Sequence, residues 1–110
     1  MTPISKREVR MYETSAGKCP FDQWMKGLDG SLRVTVAARI KRIQQGNLGN
    51  CKAVGGVFEL KFKVGGAIRI YFAYIDGQVI LLLHGGNKSR QQDDIKKAQT
   101  YWADWQRRNE

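Results

Sequence analysis

The stretch VFELKFKVGGAIRIYFAYIDGQVILLL, residues 57–83, decides the fold. Residues 57–64 alternate, with Phe58, Leu60, Phe62 and Val64 on one face and Glu59, Lys61 and Lys63 on the other. After Gly65-Gly66 the alternation resumes, Ile68, Ile70, Phe72 and Tyr74 against Arg69, Tyr71 and Ala73. A side-chain period of two is that of a β-strand. Asp76-Gly77 is a two-residue hairpin signal, because both residues tolerate positive φ. Residues 79–83 are apolar on both faces, which implies a central strand.

Residues that oppose each other across a strand pair share one side of the sheet. For both apolar rows to face the core, Phe62 is expected opposite Ile70, around a Gly65-Gly66-Ala67 loop. Lys63 then opposes Arg69 and Lys61 opposes Tyr71. A two-residue turn at 76–77 sets Ile75 opposite Gln78 and, counting back, Arg69 opposite His84. The non-core face so derived collects Lys61, Lys63, Arg69, Tyr71 and His84, with Lys88 just past the strand end. Cations, a phenol and the single histidine of the chain in one place suit phosphate chemistry. Opposed like charges destabilise a sheet, and a bound phosphate relieves them.

Outward from this hairpin the period becomes helical. Leu32, Val36, Ile40 and Ile43 form one apolar stripe of a helix over 31–45, with Ser31 as N-cap and Gly46-Asn47 as its C-terminal stop. Arg39 lies at the edge of that stripe, its stem over apolar surface and its head expected to pair with a carboxylate such as Asp22. Pro20 starts a short helix over 21–28, and residues 9–13 alternate weakly as a first strand. Ser89 with Gln92 reads as a capping box for a last helix running to about residue 105. Its Asp93-Asp94 pair suits the positive end of the helix dipole, and Trp102 and Trp105 read as core anchors. The order is β-α-α-β-β-β-α, an α+β domain with helices packed on a small, mainly antiparallel sheet.

The chain of 110 residues is read as one domain, residues 1–110, and its 42% hydrophobic content is enough for one packed interior. No apolar run approaches the roughly 20 residues of a bilayer span, and the N-terminus lacks an apolar signal region. A cytoplasmic protein without a membrane is the expectation. Cys19 and Cys51 are too few for a disulfide framework or a zinc site and read as reduced thiols. No ligand spacing or Walker loop calls for a metal or other cofactor. The formal charge is +9, and residues 33–69 carry eight basic side chains against the one acid Glu59. Such clustering points to a polyanion, with Lys41 and Arg42, turned away from the helix stripe, adding general attraction.

The segments Gly46-Asn-Leu-Gly-Asn50, Val54-Gly-Gly-Val-Phe-Glu-Leu-Lys61, Ile68-Arg-Ile-Tyr-Phe72 and Leu82-Leu-His-Gly-Gly-Asn-Lys-Ser89, together with Pro20-Phe21 and Trp24, carry a likeness across nearly the whole chain. It resembles the phage- or plasmid-derived addiction module killer proteins of the RelE/HigB/ParE superfamily of bacterial type II toxins. That resemblance implies a compact sheet with two N-terminal helices on one side and the other side used for function. It also implies a cognate antitoxin, with a helix-turn-helix and encoded nearby, and an mRNA interferase acting on the ribosome. Such enzymes are metal-independent endoribonucleases in which the ribose 2′-hydroxyl attacks the adjacent phosphate.

By strand position Lys61 and Arg69 match two family basic residues, and Lys88 the one after the last strand. The resemblance implies Lys61 on the base side, Arg69 as phosphate clamp, and Lys88 or His84 as donor to the leaving oxygen. Lys63, Tyr71, Arg90, Lys41 and Arg42 are the expected RNA contacts. Two departures stand out. Glu59 replaces a lysine of RelE-like enzymes, and Asp93-Asp94 occupy the region of their early-helix tyrosine. A ParE-like inhibitor of DNA gyrase, without nuclease activity, is the alternative of the same fold.

Overall fold

A computed structural model of the chain describes residues 6–62 and 67–110. In chain order its elements are β1 (Val9–Met11), α1 (Pro20–Lys26), α2 (Gly30–Gln44), β2 (Cys51–Ala53), β3 (Phe58–Lys61), β4 (Arg69–Ile75), β5 (Val79–Gly86) and α3 (Gln91–Arg108), with a 3-10 turn over Lys88–Arg90 leading into α3. The expected α+β order holds with one addition, the three-residue strand β2, too short to show a period. The sheet runs β1-β5-β4-β3-β2. β1 is parallel to β5, and the other pairs are antiparallel.

Local chemistry explains the helix ends. Asp29, not Ser31, caps α2: its Oδ1 accepts from the Leu32 amide at 2.9 Å, and the Ser31 hydroxyl donates to the same oxygen. The Ser89–Gln92 box does not form. Asn87 Oδ1 accepts from the Ser89 amide at 3.1 Å, which closes the 3-10 turn before α3.

The strand parity is as expected but the register is not. Leu60 opposes Ile70, Lys61 opposes Arg69 and Glu59 opposes Tyr71, a shift of two residues that leaves every side chain on its expected face. Lys63, Val64 and the Gly65-Gly66 half of the expected loop lie outside the described residues. At the second turn Asp76 and Gly77 both have positive φ, as the hairpin signal requires. The ladder nevertheless starts at Ile75–Val79, and an irregularity at Tyr71/Phe72 sets His84 opposite Tyr71 and Gly86 opposite Arg69.

The sheet is covered on both faces. On one, the α2 stripe of Leu32, Val36, Ile40 and Ile43 joins Leu60, Phe62, Ile70, Phe72 and Leu82, with Phe21 and Trp24 of α1. On the other, Ile95, Ala98, Trp102 and Trp105 of α3 pack on Val57, Tyr71, Ala73, Leu81 and Leu83. Trp102 and Trp105 are partly buried there and stack at 5.3 Å. The face expected to be solvent-exposed is thus largely a second core. Four apolar or aromatic strand residues on it, with Val57 beside them, could not be left wet, and the amphipathic α3 is what covers them. Among the described residues, no helix is long and apolar enough to cross a membrane.

Trp24 ties α1 to β5. Its ring lies directly on Gly85, so that a Cβ there would fall well inside van der Waals contact with the indole. Gly85→Ala is expected to cost about 1–3 kcal/mol by forcing the ring aside, read as a lowered urea midpoint with unchanged slope.

Candidate functional site

The residues singled out from the sequence separate into a surface row and a buried network beneath it. Lys61 ends β3, Arg69 opens β4 beside it, and Gly86 lies next to Arg69 on β5. Two strand spacings, about 10 Å, therefore separate the Lys61 and Gly86 backbones. The 3-10 turn then places Lys88 and Arg90, both exposed, at the end of β5. Lys61 is also exposed, as are Lys41 and Arg42 on α2. Among the described residues, Lys61, Lys88 and Arg90 have no carboxylate partner.

Arg69 and Tyr71 are not on that surface. Arg69 is 4% exposed and Tyr71 is fully buried. Both converge on Glu59, itself 2% exposed. The Tyr71 hydroxyl donates to Glu59 Oε2 at 3.1 Å, and Gln91 Nε2 donates to the same oxygen at 2.9 Å. Arg69 Nε lies 3.6 Å from Oε2 and Lys52 Nζ 3.9 Å from Oε1. Arg69 Nη1 donates to the Ala67 carbonyl at 2.9 Å. A buried carboxylate is tolerated only when paired and hydrogen-bonded, and Glu59 has both kinds of partner. Burial, followed by the Glu59 charge, pushes the Tyr71 phenol well above its usual range, so it stays a neutral donor. Tyr71 therefore has no face free to stack on a base. The alternating pattern showed Glu59 on this side of the sheet; Gln91 carried no signal that it would reach back from α3.

His84 belongs to a second buried pair. Its Nε2 donates to Asp94 Oδ1 at 3.0 Å, and its Nδ1 is buried without a partner. Neither nitrogen is turned to solvent, whereas the Lys88 side chain is exposed. Asp94 is 5% exposed and lies against Gly86, where a Cβ would collide with the carboxylate. Its role is to hold α3 to β5 through His84, beyond the favourable dipole position expected for it. A shallow cleft of about 240 Å³ beside the pair is lined by Trp24, Asn87, Arg90 and Lys97 among others.

Burial lowers the His84 pKa, against the raising influence of Asp94. A histidine held below its unfolded value of about 6.5 contributes stability that is present above that pH and lost as pH falls through the folded value. The urea midpoint is therefore expected to drop between about pH 7 and pH 5. In His84→Gln that portion of the drop should disappear; an unchanged pH profile in the variant would contradict it.

Arg39 does not pair with Asp22, which bonds Lys26 at 3.0 Å instead. Its guanidinium lies over the Phe62 ring at 5.6 Å. Cys19 and Cys51 are both free thiols. No group of three or more His, Cys, Asp or Glu among the described residues could hold a metal.

In comparison with known proteins, residues 23–104 match the profile of the family described as "Phage derived protein Gp49-like (DUF891)". A protein of Haemophilus influenzae, named only as uncharacterized, is 42% identical over 80 residues, which covers 71% of this chain and 81% of the relative. No solved structure matches the chain.

Proposed function

The chain belongs to the phage-derived Gp49-like family, which is associated with toxins of toxin–antitoxin modules, and from that premise we propose that it is a type II toxin that cuts mRNA on the ribosome. The observation that carries the proposal is the row Lys61, Arg69, Lys88 and Arg90 across the ends of β3, β4 and β5, whose exposed members have no acid partner. Exposed, unpaired cations at the ends of adjacent strands suit a scissile phosphate.

In this scheme Lys61 takes the proton of the ribose 2′-hydroxyl. The freed oxygen attacks the adjacent phosphorus, and the bond to the 5′-oxygen breaks. Lys88 gives that oxygen its proton, leaving a 2′,3′-cyclic phosphate and a 5′-hydroxyl. Arg90 offsets the charge that builds on the non-bridging oxygens, while Arg69, buried with Glu59, supports the row from beneath. Glu59, Tyr71 and Gln91 fix Arg69 in place rather than touch RNA. A cognate antitoxin encoded beside the gene would hold the activity in check.

Two observations favour the gyrase-inhibitor alternative. Glu59 partly neutralises Arg69, and α3 covers the sheet face on which RelE-like chemistry was expected. Brief expression in bacteria separates the two readings. The nuclease predicts new 5′-hydroxyl RNA ends inside translated codons, lost in Lys61→Ala. Intact mRNA with an induced DNA-damage response would favour gyrase instead.

A further inference from the structure

A second cationic feature adjoins the row just described and shares Lys61 with it. Between α2 and the ends of β2 and β3 runs a groove of about 580 Å³, lined by Arg39, Arg42, Asn50, Lys61 and Phe62. Arg39 and Arg42 sit three residues apart on α2 and so share its groove-facing side. Among the described residues none of the three cations has a carboxylate partner. Among the described residues no acidic side chain lines the groove. The charge here is therefore uncompensated by the protein itself.

Arg39 is held for binding rather than left to wander. Its guanidinium stacks over the Phe62 ring at 5.6 Å. Gly49, at φ +68, lies beside this guanidinium, and a Cβ there would meet Arg39 Nη2 and force the arginine aside. Its Nε is buried and has no hydrogen-bond partner. A buried N–H left without an acceptor is costly, and a stacked, immobilised guanidinium loses little entropy when it meets a planar or tetrahedral anion. The arrangement is a donor fork that lacks its acceptor.

We infer that this groove binds the phosphodiester backbone of single-stranded RNA, with Arg39 and Arg42 engaging a phosphate that flanks the scissile one. The inference rests on the RNA-cutting reading and extends it, because Lys61 is common to the groove and to the surface row. Lys61 ends β3 within the row and also lines the groove, so the two cationic regions meet at that residue. That continuity favours a nucleic-acid strand over an acidic protein segment, which would need no link to Lys61.

The test is fluorescence anisotropy with a labelled 12-nucleotide RNA whose 2′-hydroxyls are methylated, so that binding is read without cleavage. Arg39→Gln and Arg42→Gln are each expected to weaken binding about tenfold and to lower the slope of log K against log salt by about one. Lys96→Gln, an equal charge change on α3, should do neither. Arg39→Lys keeps the charge but not the fork, and should recover only part of the loss. Arg42 is exposed, so its variant guards against a folding defect in the Arg39 series. Binding unchanged in both variants, or lost equally in Lys96→Gln, would overturn the groove assignment while leaving cleavage untouched. Arg39-dependent RNA binding in a protein that never cuts would keep the groove and remove the nuclease. Selective binding of poly-glutamate, uncompeted by RNA, would assign the groove to an acidic protein partner and overturn the inference.

Discussion

Glu59→Ala is expected to destabilise the protein by about 3–5 kcal/mol, because it leaves a buried arginine without its counter-charge. Glu59 is the point where β3, β4 and α3 meet. It receives hydrogen bonds from Tyr71 and Gln91 and lies 3.6 Å from Arg69 Nε. Removing it orphans the partly buried Gln91 amide and the buried Tyr71 phenol and Arg69 cation, whose desolvation is no longer offset. Glu59→Gln keeps an acceptor for the phenol and the amide but not the charge, so it should fall between the wild type and alanine. Tyr71→Phe removes one hydrogen bond to a charged group, worth about 1.5–3 kcal/mol. Urea unfolding of the series at neutral pH gives the ranking. Equal stability of Glu59→Ala and wild type would mean that the network does not hold α3 on the sheet.

Lys61→Ala is expected to act in the opposite way, on activity and not on the fold. The side chain is exposed and unpaired among the described residues, so stability should stay within about 0.5 kcal/mol of wild type. Loss of the group that takes the 2′-hydroxyl proton should lower the cleavage rate about 10²–10⁴-fold. Arg69→Ala should reduce both, since Arg69 is buried in the Glu59 network and also opens β4 within the row. The contrast between these two variants separates a group that meets RNA from one that supports the site. An equal effect of both on stability would dissolve that distinction.

The same residues show how far the sequence could be read. A period of two places side chains on faces but does not tell one register from another shifted by two. Lys61, Arg69 and Tyr71 were therefore put on one side correctly, while their partners were not: Lys61 opposes Arg69, the position expected for Lys63. His84 moved for a different reason. The ladder begins one residue later at the Asp76-Gly77 turn and slips again at Tyr71/Phe72, and a ladder irregularity leaves no mark in an apolar run.

The covering of the second face was partly legible, because Val79–Leu83 is apolar on both sides and must be buried on both. What could not be read was which helix would do it. Glu59 and Asp94 illustrate the consequence. Each looked like a surface or capping acid from its neighbours in sequence. Each became a buried anchor once α3 settled on the sheet, Glu59 through Gln91 and Asp94 through His84. Lys88 was placed just past the strand end, and it lies two residues beyond β5 in the 3-10 turn Lys88–Arg90.

The most direct test of the central claim uses purified protein, ribosomes programmed with a defined mRNA, and the same mRNA alone. The account predicts a cut within the codon exposed on the ribosome, with a 2′,3′-cyclic phosphate on the upstream fragment and a 5′-hydroxyl on the downstream one. The naked mRNA should stay intact, and Lys61→Ala should leave both uncut. Intact mRNA on programmed ribosomes, under conditions where the wild-type protein is folded and binds RNA, would contradict it.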